Sequence, residues 1–168
     1  KIYHTDHALI GDARVTLQAL IEELTKRTSG SGIERDNIAA EILGERQKDE
    51  AKYHDALNSS ETPINPYRVY ADIMKVLDPQ QSFVTHESGN TRDQLSTVYE
   101  TQIPRGFLGW GNVSSLGFSL PAAMAAKIAY PDRYSVAVTG EAGLGYMLGN
   151  LEVPVRENIG ITVIHISN

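Results

Sequence analysis

Two side chains with oxygen ligands follow two apolar runs near the end of this sequence. Glu141 comes shortly after the run Val136–Val138, and it is the second residue of a glycine-rich segment. Asn168 comes directly after the second run and one serine. Short β-branched runs joined by a helix-length segment are typical of a parallel βαβ unit, whose strands end at the same edge of the sheet. If the two strands are neighbours, Glu141 and Asn168 should converge beside a helix N-terminus, where a hard cation and phosphates could bind.

The glycine-rich segment Gly140–Gly145 does not match the common nucleotide-binding motifs. Its glycines lack the spacing of a dinucleotide fingerprint, and no Gly-Lys-Ser/Thr follows as in a P-loop. An acidic side chain at Glu141 can face phosphates only if a divalent cation such as Mg²⁺ lies between them. On residue types and spacing alone, a glycine-rich turn with a solvated glutamate is the competing interpretation, and both remain open at this point.

A second polar loop follows the predicted strand Ser82–Thr85. It carries His86 and the sequence Glu-Ser-Gly-Asn-Thr, and a small polar loop at a strand end is another place where an α/β fold can hold a ligand. His86 is either a phosphate contact or a polar residue at a strand end. Trp110, the only tryptophan, lies in a glycine-rich loop, where it either anchors packing or lines a cleft.

The composition excludes several classes of protein. Among 168 residues there are 15 basic and 21 acidic side chains, and the net charge of −6 argues against nucleic acid or an anionic membrane surface as a partner. No apolar run approaches the length of a bilayer span. Cysteine is absent, so disulfides, thiolate metal sites and thiol nucleophiles are excluded, and we expect a cytoplasmic location.

Hydrophobic periodicity predicts an α/β fold with a doubly wound, mostly parallel sheet, preceded by a helical linker. Asp12 is the expected N-cap of a first helix. The later elements are expected in the order helix 67–77, strand 82–86, helix 94–99, helix 116–129, strand 135–139, helix 146–157 and strand 161–166.

Three segments taken in order carry a resemblance to a known family. They read PINPYRVYADIMKVLD, RGFLGWGNVSSLGFSLPAAMAAKIAYPDR and TGEAGLGYMLGNLEVPVRENIGITVIHISN. Together they resemble the C-terminal, diphosphate-binding domain of thiamine diphosphate enzymes of the acetolactate synthase and pyruvate oxidase group. The resemblance implies that residues 1–28 end a central domain, 29–62 form an interdomain linker, and 63–168 form a diphosphate and Mg²⁺ domain truncated at its C-terminal side. We therefore expect a fragment of a longer enzyme.

The resemblance also implies roles for individual residues. Glu141 takes the place of the family's metal-binding aspartate, and Asn168 takes that of its metal-binding asparagine. The backbone of Ala142 would face the diphosphate, the carbonyl of Ser114 would accept from the cofactor's amino group, and Leu116 would support its bent shape. The implied cofactor-binding positions are Gly89, Asn90, Thr91, Ser114, Leu116, Gly140, Glu141, Ala142, Gly143 and Asn168.

Three of the matching positions depart from the family pattern. Glu141 is one methylene longer than aspartate, Ala142 replaces a glycine, and Ser167 replaces the first of two asparagines. Alanine at 142 is mild if its backbone φ is negative and costly if φ must be positive. These departures keep a non-catalytic homologue, acting as a regulatory or structural subunit, as the alternative to an enzyme. An unrelated nucleotide-binding α/β domain is a further alternative, for which the glycine spacing is poor.

The function implied by the resemblance is thiamine diphosphate- and Mg²⁺-dependent decarboxylation or carboligation of a 2-keto acid. No catalytic residue is expected in this chain, because in this family the activating glutamate comes from the N-terminal pyrimidine-binding domain of the same or a neighbouring subunit. A homodimer or homotetramer is therefore expected, and the chain alone should be inactive.

Overall fold

Four parallel strands form the centre of the fold in a computed structural model of the chain, which describes residues 4–28 and 37–167. The strands are β1 (Ser82–His86), β2 (Phe107–Leu108), β3 (Tyr134–Thr139) and β4 (Thr162–His165). Their order in the sheet is β2-β1-β3-β4, and each neighbouring pair is parallel. The chain first moves from β1 to one edge and then returns past β1 to β3, so the strand order reverses between β1 and β3. The predicted doubly wound parallel α/β fold is confirmed.

Helices cover both faces of the two central strands. All five residues of β1 and five of the six in β3 are buried, as expected for parallel strands packed on both sides. Neighbouring residues of a strand point to opposite faces of the sheet. On one face, Val84 packs with Tyr70 and Leu95. On the other face Ser135 donates a hydrogen bond to the carbonyl of Ala123 at 2.7 Å, in the alanine-rich helix.

The described residues form seven helices in addition to the strands. They are α1 (Ala13–Arg27), α2 (Ile38–Leu57), α3 (Pro66–Val76), α4 (Asn90–Val98), α5 (Ser119–Ala129), α6 (Glu141–Met147) and α7 (Glu152–Arg156), with a 3₁₀ turn at Leu148–Leu151. Asp12 is the N-cap of α1 as predicted, since its carboxylate accepts from the amides of Arg14 and Val15.

Several predicted element boundaries were wrong. Helix α4 begins at Asn90 instead of Gln94, because Gly89 adopts φ 92° and starts the helix immediately after the loop. Helix α6 begins at Glu141, so the expected glycine-rich turn is the first part of a helix. The predicted helix 146–157 is instead the end of α6, the 3₁₀ turn and α7, and α5 begins at Ser119 instead of 116. Strand β2 was not predicted, since two residues show no periodicity.

The chain divides into two compact units, Lys1–Arg46 and Gln47–Asn168. The first contains α1, whose apolar side chains, including Val15 and Ile21, are exposed. The second contains the sheet. The predicted domain limits at residues 28 and 62 stay a prediction, and the Ser-Gly segment 29–32 lies outside the described residues. In the described ranges no helix combines the length and the apolar character needed to cross a membrane.

Candidate functional site

A cleft of about 120 Å³ opens at the carboxyl ends of β1 and β3, where the strand order reverses. Ligand sites of open α/β sheets occur at this kind of position. Seven of the residues predicted to bind the cofactor line this cleft: Asn90, Thr91, Leu116, Gly140, Glu141, Ala142 and Gly143. Gly89 and Ser114 are not among the lining residues. The structure thus brings together three chain segments that sequence reasoning had connected only through the resemblance.

The first wall of the cleft is the start of α4. Gly89 is its N-cap, with φ 92° and ψ −148°, a conformation that only glycine adopts without strain. Gly89 offers no side chain to cap the helix, and Asn90 and Thr91 form the first turn. The first amide groups of a helix have no partner within it and carry a partial positive charge, so this wall favours an anion.

The second wall is the start of α6. Gly140 has an extended backbone and, like Gly89, provides no side-chain cap. Glu141 is exposed in the first turn, and Ala142 follows it with helical backbone angles. Ala142 is not among the positive-φ residues, so alanine in place of the family's glycine introduces no backbone strain. This departure from the family pattern is structurally mild.

The predicted positions Ser114 and Asn168 have different outcomes. Ser114 adopts φ 58°, and its hydroxyl lies 2.7 Å from that of Ser88, which lines the cleft. Asn168 lies outside the described residues, so its approach to Glu141 stays a prediction. The condition for that approach is met, because β4 pairs with β3 and Ile166, just after β4, lines the cleft.

Glu87 is a cleft residue that sequence reasoning missed. It follows β1 directly and only 1% of its surface is exposed. Its Oε1 accepts from the amides of Ser88 at 3.1 Å and Phe118 at 3.3 Å. Its Oε2 accepts from the amide of Ser119 at 3.3 Å and from the Ser119 hydroxyl at 3.0 Å. An acidic residue between a buried strand and a glycine was the available signal, but Phe118 and Ser119 lie 31 and 32 positions away.

Tyr70 and Gln94 also line the cleft and were not predicted. The Tyr70 hydroxyl donates to Oε1 of Gln94 at 3.2 Å. Burial, assisted by the neighbouring Tyr67, raises the pKa of Tyr70 to about 12. Tyr70 is therefore a hydrogen-bond donor throughout the physiological pH range.

His86 and Trp110 do not line the cleft. The His86 ring is buried, stacks on Phe107 with centroids 5.0 Å apart, and lies against Gly109, where a Cβ atom would be 2.6 Å from the ring carbon Cε1. Trp110 lies under the guanidinium of Arg92, 5.4 Å from the ring centroid. The structure therefore supports the interpretation of His86 as a residue at a strand end and that of Trp110 as a packing residue.

His86 should make the folded protein less stable as the pH falls. Burial lowers its pKa below the ordinary value of 6.5, with a smaller opposing effect from the Glu87 carbonyl. Below pH 6.5 the unfolded chain therefore binds a proton that the folded chain does not, and stability decreases by up to ~1.4 kcal/mol per pH unit. Urea unfolding between pH 7.5 and 5.5 checks this, and His86→Gln should show a smaller slope. Equal slopes in the two proteins would contradict the prediction.

Comparison with protein families identifies the part of the chain that contains the cleft. Residues 87–168 match the family model described as "Thiamine pyrophosphate enzyme, C-terminal TPP binding domain". This part of the chain is similar to the C-terminal domain of the thiamine pyrophosphate enzymes. The matched thiamine pyrophosphate enzyme domain begins at Glu87, the buried carboxylate described above, and includes both helix N-termini of the cleft.

Several curated proteins are similar to this chain over nearly its whole length. A probable acetolactate synthase large subunit of Methanococcus aeolicus is 25% identical over 97% of the chain and 28% of its own length. The 2-hydroxyacyl-CoA lyase of Arabidopsis thaliana is 28% identical over 95% of the chain and 28% of its own length. The acetolactate synthase isozyme 3 large subunit of Escherichia coli is 25% identical over all of the chain and 29% of its length. The chain spans under a third of these relatives.

Proposed function

We propose that this chain supplies the diphosphate-binding part of a thiamine diphosphate- and Mg²⁺-dependent enzyme that decarboxylates a 2-keto acid and transfers the product to an acceptor. One observation carries the proposal. The uncapped starts of α4 and α6 meet at one cleft, at the position where the strand order reverses. The family match of residues 87–168 and the acetolactate synthase relatives support the same cofactor.

The residues of the cleft fit a diphosphate. The amide groups at the starts of both helices are suited to phosphate oxygens. Glu141 adds a negative charge at the same place. This charge repels a phosphate unless a cation lies between the two groups and neutralises them. Within the described part of the chain, no group of three or more His, Cys, Asp or Glu side chains could hold a metal alone. A Mg²⁺ ion bound by Glu141, Asn168 and diphosphate oxygens agrees with the preference of this ion for few protein ligands.

The remaining roles belong to binding and orientation. Bound thiamine diphosphate supplies the nucleophilic carbon and accepts the electron pair released when CO₂ leaves the 2-keto acid. Leu116 forms an apolar wall of the cleft, and Ser114 is held at its rim by the hydroxyl of Ser88. The proton transfer that activates the cofactor is assigned to a glutamate of the pyrimidine-binding domain, in the same or a neighbouring subunit.

A second reaction is the cleavage of a 2-hydroxyacyl-CoA. The 2-hydroxyacyl-CoA lyases of Arabidopsis thaliana and Homo sapiens are 28% and 27% identical to the chain, against 25% for the two acetolactate synthases named above. Both reactions break or form a carbon–carbon bond beside a carbonyl group, and both use the same diphosphate site. Substrate panels of 2-keto acids and of 2-hydroxyacyl-CoA thioesters, assayed with the pyrimidine-binding domain present, distinguish them by the product formed.

Calorimetric titration with thiamine diphosphate, with and without Mg²⁺, tests cofactor binding. Wild-type protein should bind only weakly without the ion. Glu141→Ala should raise Kd at least about tenfold in the presence of Mg²⁺, equivalent to ~1.4 kcal/mol. Glu152→Ala is the matched control, because Glu152 also lies at the start of a short helix but pairs with Arg156 instead of lining the cleft. Its Kd should equal that of the wild type.

Two outcomes would contradict the proposal. Wild-type protein that does not bind thiamine diphosphate with Mg²⁺ would exclude the cofactor role. Protein that binds the cofactor but converts no substrate of either panel, with the pyrimidine-binding domain present, would favour the non-catalytic homologue.

A further inference from the structure

The three segments of the cleft meet at one buried residue, Glu87. They are the start of α4, the loop that leads into α5, and the start of α6. Through its carboxylate, Glu87 binds the first amides of α5 and the Ser119 hydroxyl. Through its carbonyl, it accepts from Thr91 in the first turn of α4 at 3.3 Å. Hydrogen bonds thus join Glu87 to two of the three segments.

The third contact of Glu87 is with α6. At Gly143 the backbone of α6 passes so close that an added Cβ atom would be 2.5 Å from Cδ and 2.6 Å from Oε2 of Glu87. Gly143 is the only buried residue of this helix. The side chain of Glu87 therefore determines how near the start of α6 can come to β1 and α5.

Glu87 has no capacity left to bind a metal ion or a proton donor from a ligand. A carboxylate offers about four acceptor positions. Here two donors occupy each oxygen, and all four contacts are at 3.0 to 3.3 Å. Glu87 therefore lies in the cleft wall as a hydrogen-bond partner of the surrounding segments and not as a ligand of a bound molecule.

We propose that Glu87 is a positioning residue, which sets the spacing between the two helix N-termini that bind the cofactor diphosphate. The proposal rests on the proposed function, because the ligand of the two helices is the thiamine diphosphate inferred above. It makes Glu87 necessary for cofactor affinity although Glu87 itself does not contact the cofactor.

Two matched serine variants separate positioning from ordinary stability. Ser119→Ala removes the hydroxyl that donates to Glu87, and Ser135→Ala removes the hydroxyl that donates to the Ala123 carbonyl in the same helix. Both serines are buried, at 0% and 3% exposure, and Ser135 lies away from the cleft. Similar decreases in melting temperature are expected. Only Ser119→Ala should raise Kd for thiamine diphosphate with Mg²⁺, by about three- to tenfold.

Glu87→Gln gives the larger effect. The glutamine side chain is nearly the same size as that of glutamate, but its NH₂ group takes the place of a carboxylate oxygen. In the wild-type protein, both carboxylate oxygens accept hydrogen bonds from backbone N–H groups. Cofactor Kd should rise by about 10- to 100-fold, as for residues that orient the ligands of a bound ion. If this variant does not fold, the serine pair still provides the test.

The results that would overturn the proposal differ from those that would overturn the proposed function. Wild-type protein without affinity for thiamine diphosphate and Mg²⁺ overturns both. Wild-type protein that binds, together with equal Kd values for Ser119→Ala and Ser135→Ala, overturns only the positioning role of Glu87. A folded Glu87→Gln variant with wild-type Kd does the same.

Discussion

Replacing Gly143 with alanine should destabilise the protein and abolish tight cofactor binding. The new methyl group would be 2.5 Å from Cδ of Glu87, and this side chain cannot move away without losing the hydrogen bonds to Phe118 and Ser119. Inserting a methyl group into a well-packed interior costs about 1–3 kcal/mol. The strain acts between α6 and Glu87, which is hydrogen-bonded to the start of α5. We therefore expect α6 to move relative to α5 and the cleft to change shape.

Gly145→Ala is the matched control for Gly143→Ala. Both glycines lie in α6, but a Cβ atom at 145 would meet nothing within 4 Å. Alanine in a helix is favoured over glycine by up to about 1 kcal/mol, so this variant should be as stable as the wild type or more so. Urea unfolding gives the stabilities, and calorimetric titration gives the affinities. Equal stability of the two variants would show that the close contact at Gly143 does not constrain the protein.

Leu95→Ala should have the largest effect on stability among substitutions outside the cleft. Leu95 is fully buried on α4 and belongs to the core cluster with Tyr70, Val84 and Val138. Truncating a buried leucine costs about 2–5 kcal/mol, because apolar contacts are lost and a cavity remains. The same helix begins at Asn90, so its loosening should also weaken cofactor binding.

Val155→Ala provides the comparison for Leu95→Ala. Val155 is a helical apolar residue that is 82% exposed, and its truncation should change the free energy of unfolding by less than about 0.5 kcal/mol. Urea denaturation monitored by circular dichroism measures both variants. A loss below about 1 kcal/mol for Leu95→Ala would contradict the packing of α4 against the sheet.

Local patterns were sufficient to predict three of the four strands and the position of Glu141 after one of them. The apolar runs before Glu141 and Asn168 are short and β-branched, and their pairing as parallel neighbours is confirmed. Asp12 was found as an N-cap because its partners are two and three residues away. Such features depend on nearby residues, which the sequence shows directly.

Glu87 and the start of α4 could not be predicted in this way. The carboxylate partners of Glu87 include amides 31 and 32 positions later, and nothing in the sequence marks them as neighbours. Helix α4 begins early because Gly89 adopts a positive φ, which depends on the path the chain takes after β1. Gly143 looked like part of a turn, although its small size is what allows α6 to approach Glu87.

The pairing of β1 with β3 has a consequence for how this chain folds during its synthesis. Ser82 pairs with Tyr134, 52 positions later, and every other residue pair between the two central strands has the same separation in sequence. At synthesis rates of about 5–20 residues per second, β1 must wait roughly 3–10 s before its central partner exists. During this time a strand of five buried residues, Ser82–His86, lacks its neighbour on that side. Non-local parallel strand pairs also form slowly. During this interval the unpaired edge of β1 is open to association with another nascent chain or with a chaperone.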